Sequence, residues 1–408
     1  MRGIREENII LEDEVFGRTY IEQRMVEGGF NSISKFELFI WDLEILLQLQ
    51  KKLGDRIVLK GGAAAQFYIP VEYQRTSVDI DMICSATRDE LHRTLSEIES
   101  EFNGEMDYCK FKAHKPKNPK LELGSLETYY FKVPSICNAK ELNYPQGEQQ
   151  EVKVEVLYSD HTYPATRIEK PELFALVTRH GFNILALENL FADKLTTLGP
   201  NTIGIPDDRA DEQFKQIYDL VTLFTSNVER VLSSKEYIEK CYRETALAEC
   251  QNRKVPYDHE LLLRDMKLMV NRIKDIENSS STQKFANDFQ SLYLRKAVNR
   301  DKALWAIAGY QLGLLIEYIF CDCKKITHFR EIEELTTRLR FDDIRGPERG
   351  HLNNAVRNAL RTDFGAMHEL SDNLLQKRLN RIIWVLVSHV PLKEIENSVK
   401  KAVTSFSI

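Results

Sequence analysis

Apolar side chains recur three and four residues apart between Ser34 and Leu53, where Phe36, Leu38, Phe39, Leu43, Leu46 and Leu47 form a stripe. That spacing predicts an amphipathic helix, stopped by Gly54 and Asp55. The pattern then changes. "RIVLK" is short, β-branched and strand-like, and "GGAAAQFY" runs from two glycines into strong helix formers until Pro70. "TSVDIDMIC" reads as a second strand, and "TRDELHRTLSEIESEF" as a helix opening on a Thr87/Glu90 capping box. Lys120 to Pro134 and Glu151 to Tyr158 read as further strands, joined by the turn-rich "NAKELNYPQGEQQ". "LALENLFADKLTTL" and "DEQFKQIYDLVTLF" follow as helices, linked by "GPNTIGIPDDRA".

Beyond about residue 225 the strand pattern disappears. A Ser233/Glu236 capping box introduces "KEYIEKCYRETALAEC", and "DHELLLRDMKLMVNRIKDIE" is strongly helix-periodic. Helical segments continue over 283–299, 301–320 and 328–340; "FDDIRGPERGH" reads as a loop and "SDNLLQKRLNRIIWVLVSHV" as one long helix. The expected organisation is α+β: residues 1–228 as a mixed sheet with flanking helices, then an all-helical bundle over 229–408.

A length of 408 residues fits two domains, and 43% apolar with 29% charged residues is ordinary for a soluble protein. "MRGIREENIILEDEV" has no apolar core of a signal peptide, and seven scattered cysteines fit reduced thiols, so the expected location is the cytoplasm. "ALWAIAGYQLGLLIEYIF" nearly reaches membrane-spanning length, but Gln311 and Glu317 interrupt it; a bundle helix is expected, and no membrane. A net charge of −6 argues against coating nucleic acid by bulk charge, though not against a local basic surface. The lysines at 110, 112, 115, 117 and 120 are either a solvated loop or a phosphate contact.

Two short stretches carry candidate chemistry. A strand ending in Gly61–Gly62 and running into a helix aims bare backbone N–H groups at an anion, although a plain turn uses glycines too. Asp79 and Asp81 are two apart in a strand and project together, while Val78, Ile80 and Met82 face the core. Paired carboxylates suit magnesium bridged to phosphates; an edge strand decorated with acids is the competing reading. "EVKVEVLY" sets Glu155 opposite a valine face, and if that strand neighbours the D-x-D strand, three carboxylates converge.

Taken together, Lys60–Gly61–Gly62, Arg75–Thr76–Ser77–Val78–Asp79–Ile80–Asp81, Asp193–Lys194–Leu195 and Ile217–Tyr218–Asp219–Leu220 resemble the AbiEii/AbiGii toxins of the nucleotidyltransferase superfamily, over roughly residues 35–225. The resemblance implies a nucleotidyltransferase-like fold in which Gly61, Gly62 and Ser77, with Lys60, contact an NTP's triphosphate. Asp79, Asp81 and Glu155 would bind Mg2+, two ions in all; Lys194 would offset phosphate charge and Asp219 would complete the catalytic set. It further implies NMP transfer from an NTP to a hydroxyl such as the 3′ end of tRNA, arrested translation in phage defence, and a cognate antitoxin.

Several positions depart from the family's pattern: Ala63 for threonine, Glu155 for aspartate, and Lys215–Gln216 for Arg-Asp. The alternatives are nucleotidylation of a protein or of a small cationic acceptor such as an aminoglycoside, or a non-catalytic scaffold. Lys194 lies on a mostly apolar helix and needs Asp219, a triphosphate or solvent as partner. Arg378 and Arg381 are candidates for steering an RNA backbone. Cys321, Cys323 and His328 lack a second ligand pair for zinc, so the cysteines are expected to pack in the bundle. His161 and His180 are expected at the surface.

Overall fold

The computed structural model describes residues 5–103, 109–114, 126–142, 149–367 and 372–406. The three lysines at 115, 117 and 120, and the middle of "NAKELNYPQGEQQ", lie outside them. Seven strands, β1 Ile57–Lys60, β2 Asp79–Cys84, β3 Lys110–Ala113, β4 Leu126–Pro134, β5 Gln149–Tyr158, β6 Ala165–Ile168 and β7 Phe182–Leu185, form one sheet in the order β3-β4-β5-β2-β1-β7-β6. The sheet is mixed. β2 runs parallel to β5 and antiparallel to β1, which is itself parallel to β7. The strand carrying Asp79 and Asp81 is therefore the central one.

Alternation explains this placement. Ile80 and Met82 of β2, and Val152, Val154 and Val156 of β5, are fully buried, while the acids between them face the other side. β7 was not legible from period: all four of its residues are buried, so it shows no alternation.

Helices flank the sheet: α1 Arg18–Gly28, α2 Ile33–Leu53, α3 Gly61–Gln66, α4 Arg88–Phe102, α5 Ala139–Leu142, α6 Leu187–Thr196 and α7 Ala210–Ser226. The α4 capping box forms as expected, with both reciprocal bonds between Thr87 and Glu90. α2 is buried along most of its length and packs on β1, β2, β5 and β7. Its buried polar residues tie down neighbouring chain: Glu44 accepts from the Ile10 and Leu11 amides, and Glu37 from Ser135 and the Ile136 amide.

The rest of the described chain is helical: α8 Val228–Ser233, α9 Lys235–Asn252, α10 His259–Lys274, α11 Ser280–Tyr293, α12 Lys302–Cys321, α13 Phe329–Arg338, α14 Pro347–Phe364, α15 Asp372–Leu375, α16 Leu379–Val387 and α17 Leu392–Phe406. The chain divides into two compact units. The first holds Met1–Asn227 together with Lys240–His259 and Phe285–Asn299; the second holds Val228–Glu239, Glu260–Lys284 and Arg300–Ile408.

Within the second unit, α12 is long and apolar enough to cross a membrane, yet 67% of that stretch is buried in the protein. Three expectations are corrected here. Residues 347–351 are the first turn of α14, because Pro347 at the first helical position starts a helix instead of ending a loop. The expected single helix over 371–390 is two, α15 and α16, with Arg378 at the N-cap of the second. α9 starts at Lys235, and the Ser233 hydroxyl bonds to Arg230 O.

Candidate functional site

The functional side chains named above gather in the first unit, around the point where β1 turns into α3. β2 and β5 pair in parallel with Asp79 beside Lys153 and Asp81 beside Glu155, so the three carboxylates converge on one face. Lys60 is the β1 neighbour of Asp81 on the other side. Gly61 has φ +72°, and a Cβ there would lie against the Asp81 carboxylate, 2.7 Å from its Cγ. Only glycine lets this turn press on that acid.

The electrostatics follow from crowding. Burial, then Glu155, drive the Asp81 pKa well above the usual carboxylate range, although Lys60 opposes them, and the two acids share a hydrogen bond. Glu155 ends below its ordinary value: burial pulls upward, but Lys153 at 2.8 Å outweighs it. Burial also works against the charge on Lys60, yet Asp193 at 2.9 Å and Asp81 hold its pKa above the usual value. Among the described residues no three His, Cys, Asp or Glu side chains are already disposed around a metal position. The chemistry of the donors nevertheless fits a divalent cation: hard carboxylate oxygens crowded until one must hold a proton are the groups such an ion neutralises.

Behind the glycines lies a second, buried cluster. Arg75 forks onto Asp219 with bonds of 2.7 and 2.6 Å, and Lys194 donates to the same carboxylate at 2.7 Å and to Gln216 at 2.9 Å. Arg75, Lys194 and Asp219 are all essentially excluded from solvent. Lys194 thus does not snorkel; Asp219 is its partner. Burial disfavours the Asp219 charge, but Arg75 and Lys194 hold its pKa below the ordinary value. A Cβ on Gly62 would come 2.8 Å from Arg75 Nη2 and 3.0 Å from Ser77 Oγ, which places this cluster directly under the turn.

Two residues escaped the sequence reading. Asp42 of α2 is 1% exposed and neither of its carboxylate oxygens has a hydrogen-bond partner. Burial, then Asp79 and Asp81, push its pKa well up. The signal was available: an aspartate between Trp41 and Leu43 in a helix that is apolar on nearly every side. Lys215, noted only as a departure, lies 4.2 Å over the Tyr293 ring, and burial followed by Arg75 lowers its pKa.

A cavity of about 250 Å³ adjoins Lys60 and Asp193, with Ile83, Leu157 and Tyr158 on the sheet and Asn189 and Asn252 among its polar edges. His161 lines it and is exposed, as expected; His180 is half-buried elsewhere. Lys110 and Lys112 are exposed on edge strand β3. Cys321 is exposed and takes a 3.7 Å contact from Lys267 Nζ, and Cys323 is half-buried, so neither packs in the bundle interior as expected. All seven cysteines are free thiols.

Residues 44–298 match the family model described as "Nucleotidyl transferase AbiEii toxin, Type IV TA system". No curated protein matches the chain in sequence. Among solved structures, MenT4, a nucleotidyltransferase toxin of Mycobacterium tuberculosis, aligns at TM-score 0.46 and 12% identity over 78% of this chain and 97% of its own. A "putative nucleotidyltransferase from H. pylori" aligns at TM-score 0.36 and 16% identity over 71% and 98%. Neither likeness bears on the chemistry of the site.

Proposed function

This chain belongs to the AbiEii nucleotidyl transferase toxin family, and from that premise we propose that it moves a nucleoside monophosphate from an NTP onto an RNA hydroxyl, the 3′ end of tRNA. The observation that carries the reading is the register of β2 and β5, which sets Asp79, Asp81 and Glu155 on one face against the backbone of Gly61. In the reaction the acceptor oxygen bonds to the α-phosphorus as the bond to pyrophosphate breaks, and the hydroxyl proton passes to a carboxylate of this cluster. Magnesium, two ions held by Asp79, Asp81 and Glu155, would neutralise phosphate charge and that developing on the attacking and leaving oxygens.

The chain's own residues supply the rest. Gly61 and Gly62 offer backbone N–H groups to the triphosphate, with Ser77 Oγ beside them. Lys60 lines the neighbouring cavity, which takes the nucleoside. Lys194 offsets phosphate charge from beneath. Asp219 becomes a positioning residue, because its oxygens are engaged by Arg75 and Lys194. Membership of a toxin–antitoxin family supports a cognate antitoxin partner, action in the cytoplasm and a role in phage defence.

The test is to incubate the protein with magnesium, total tRNA and each labelled NTP in turn, beside an Asp79→Asn/Asp81→Asn variant. Label on RNA with wild type alone is the expected result. Label on protein would favour a different acceptor, and no label with no magnesium-dependent NTP binding would overturn the reading.

A further inference from the structure

The second unit contains a cavity of about 860 Å³ outside the stretch matched by the family. One wall is a face of α14, where Arg349, Asn353 and Arg357 recur four residues apart with Gly350 and Asn354 beside them. A polar stripe on a helix normally faces bulk water. This one also lines an open hollow whose apolar side is made by Leu304, Leu339, Leu375 and Leu379, with Arg349, Gly350 and Asn354 still exposed. Arg340 and Arg378 complete a set of four guanidiniums against a single lining carboxylate, Asp342.

Two of the four are already satisfied by acids: Arg349 by Asp342 at 2.9 Å, and Arg378 by Asp301 at 2.7 Å. Among the described residues Arg340 and Arg357 have no salt bridge, and Arg357 gives one N–H to the Leu375 carbonyl. Burial alone pulls the Arg357 pKa down, as expected of a cation without a counter-charge. A protein of net charge −6 that concentrates arginines in one hollow invites an anion there. Planar guanidiniums match phosphate oxygens bidentately, and the asparagine amides suit ribose hydroxyls. No aromatic side chain lines the cavity among the described residues, so nothing stacks a base. That favours a sugar–phosphate backbone over a mononucleotide.

We propose that this cavity binds the phosphodiester backbone of single-stranded RNA through Arg340 and Arg357. It deepens the RNA-acceptor reading and rests on it only for the identity of the polyanion. Of the two arginines flagged in "RLNRII", only Arg378 lies here; Arg381 is committed to Glu277.

The test measures binding of a fluorescein-labelled 20-nucleotide RNA to the full chain by anisotropy, without NTP or divalent ions, across a salt series. Arg340→Ala/Arg357→Ala should weaken binding by on the order of tenfold or more and reduce the salt slope by about 1.4, two phosphate contacts at ~0.7 each. Arg340→Lys/Arg357→Lys should retain the slope. A Cβ at Gly350 meets nothing within 4 Å, so Gly350→Glu should fold and still lose RNA by placing a carboxylate in the hollow. Label transfer onto tRNA that persists while the alanine and Gly350→Glu variants bind RNA as wild type refutes only the cavity and leaves the transfer reaction standing. The proposal is overturned if wild type does not bind RNA at low salt, or if the alanine and Gly350→Glu variants bind with unchanged affinity and slope. It is equally overturned if those variants lose only inorganic tripolyphosphate, which would make this a small-anion site.

Discussion

Replacing Gly61 with alanine should separate two penalties that are usually confounded. Gly61 and Gly29 share a positive φ, +72° and +71°. A Cβ at Gly29 meets only the Lys296 amide nitrogen at 3.8 Å, an ordinary contact. Gly29→Ala therefore reports backbone strain alone, about 1–2 kcal/mol, less the ~0.4–1 kcal/mol returned by stiffening the unfolded chain. At Gly61 the added carbon lands on Asp81, 2.7 Å from Cγ, and the carboxylate must swing away.

Asp81 would then leave its rotamer, at about 1 kcal/mol, and its hydrogen bond with Glu155. We expect Gly61→Ala to destabilise by roughly 1–2.5 kcal/mol in urea denaturation, about 1 kcal/mol more than Gly29→Ala. Catalysis should suffer more than stability, because a shift of about 1 Å in a reacting group costs on the order of 100-fold. The assay is label transfer under single-turnover conditions, alongside the denaturation curves. If Gly61→Ala turned over within a few-fold of wild type, or Gly29→Ala were equally inactive, the claim that Gly61 wedges Asp81 into place would be wrong.

Two further outcomes follow from the buried groups. Asp219→Asn leaves Arg75 and Lys194 buried with less counter-charge and should cost about 3 kcal/mol. Because the folded pKa of Asp219 is depressed, that difference is fully present above the unfolded value near 4 and shrinks as pH falls through the folded pKa; urea midpoints of both proteins against pH would show it. Asp42→Asn should behave in the opposite sense. An acid whose folded pKa is raised costs nothing below about pH 4 and an increasing amount above it, up to ~1.4 kcal/mol per pH unit. In EDTA the variant should therefore match wild type at pH 4 and be the more stable protein at pH 7; equal melting temperatures at both would refute it.

Much of the first unit was legible because its signals are local. α2 announces itself by period, α4 by its capping box, and β2 and β5 by alternation around Ile80 and Val154. What the sequence concealed was mostly non-local or patternless. β7 is buried on both faces and only four residues long, and β3 and β6 are equally short strands. α14 hid behind Gly346–Pro347, a pair that reads as a turn and here starts a helix. At the site, the convergence of three acids was legible only on the condition that β2 and β5 pair, and they do. The engagement of Asp219 by Arg75 was not, because a fork between residues 144 positions apart leaves no trace in spacing. Asp42 is a single acid inside the apolar run of α2, between Trp41 and Leu43, and leaves no spacing pattern of its own.

The course of the chain between the two units carries a consequence for how such a protein can change. The chain passes between them at 227/228, 239/240, 259/260, 284/285 and 299/300. The Tyr218 ring lies tilted against Phe289, and Thr76 bonds through its amide to the Tyr293 carbonyl, so the first unit uses residues encoded after the second has begun. Neither half can be lifted out as a cassette by one recombination event, and a nascent chain released at residue 228 lacks pieces of both. The protein is inherited, translated and lost as a whole.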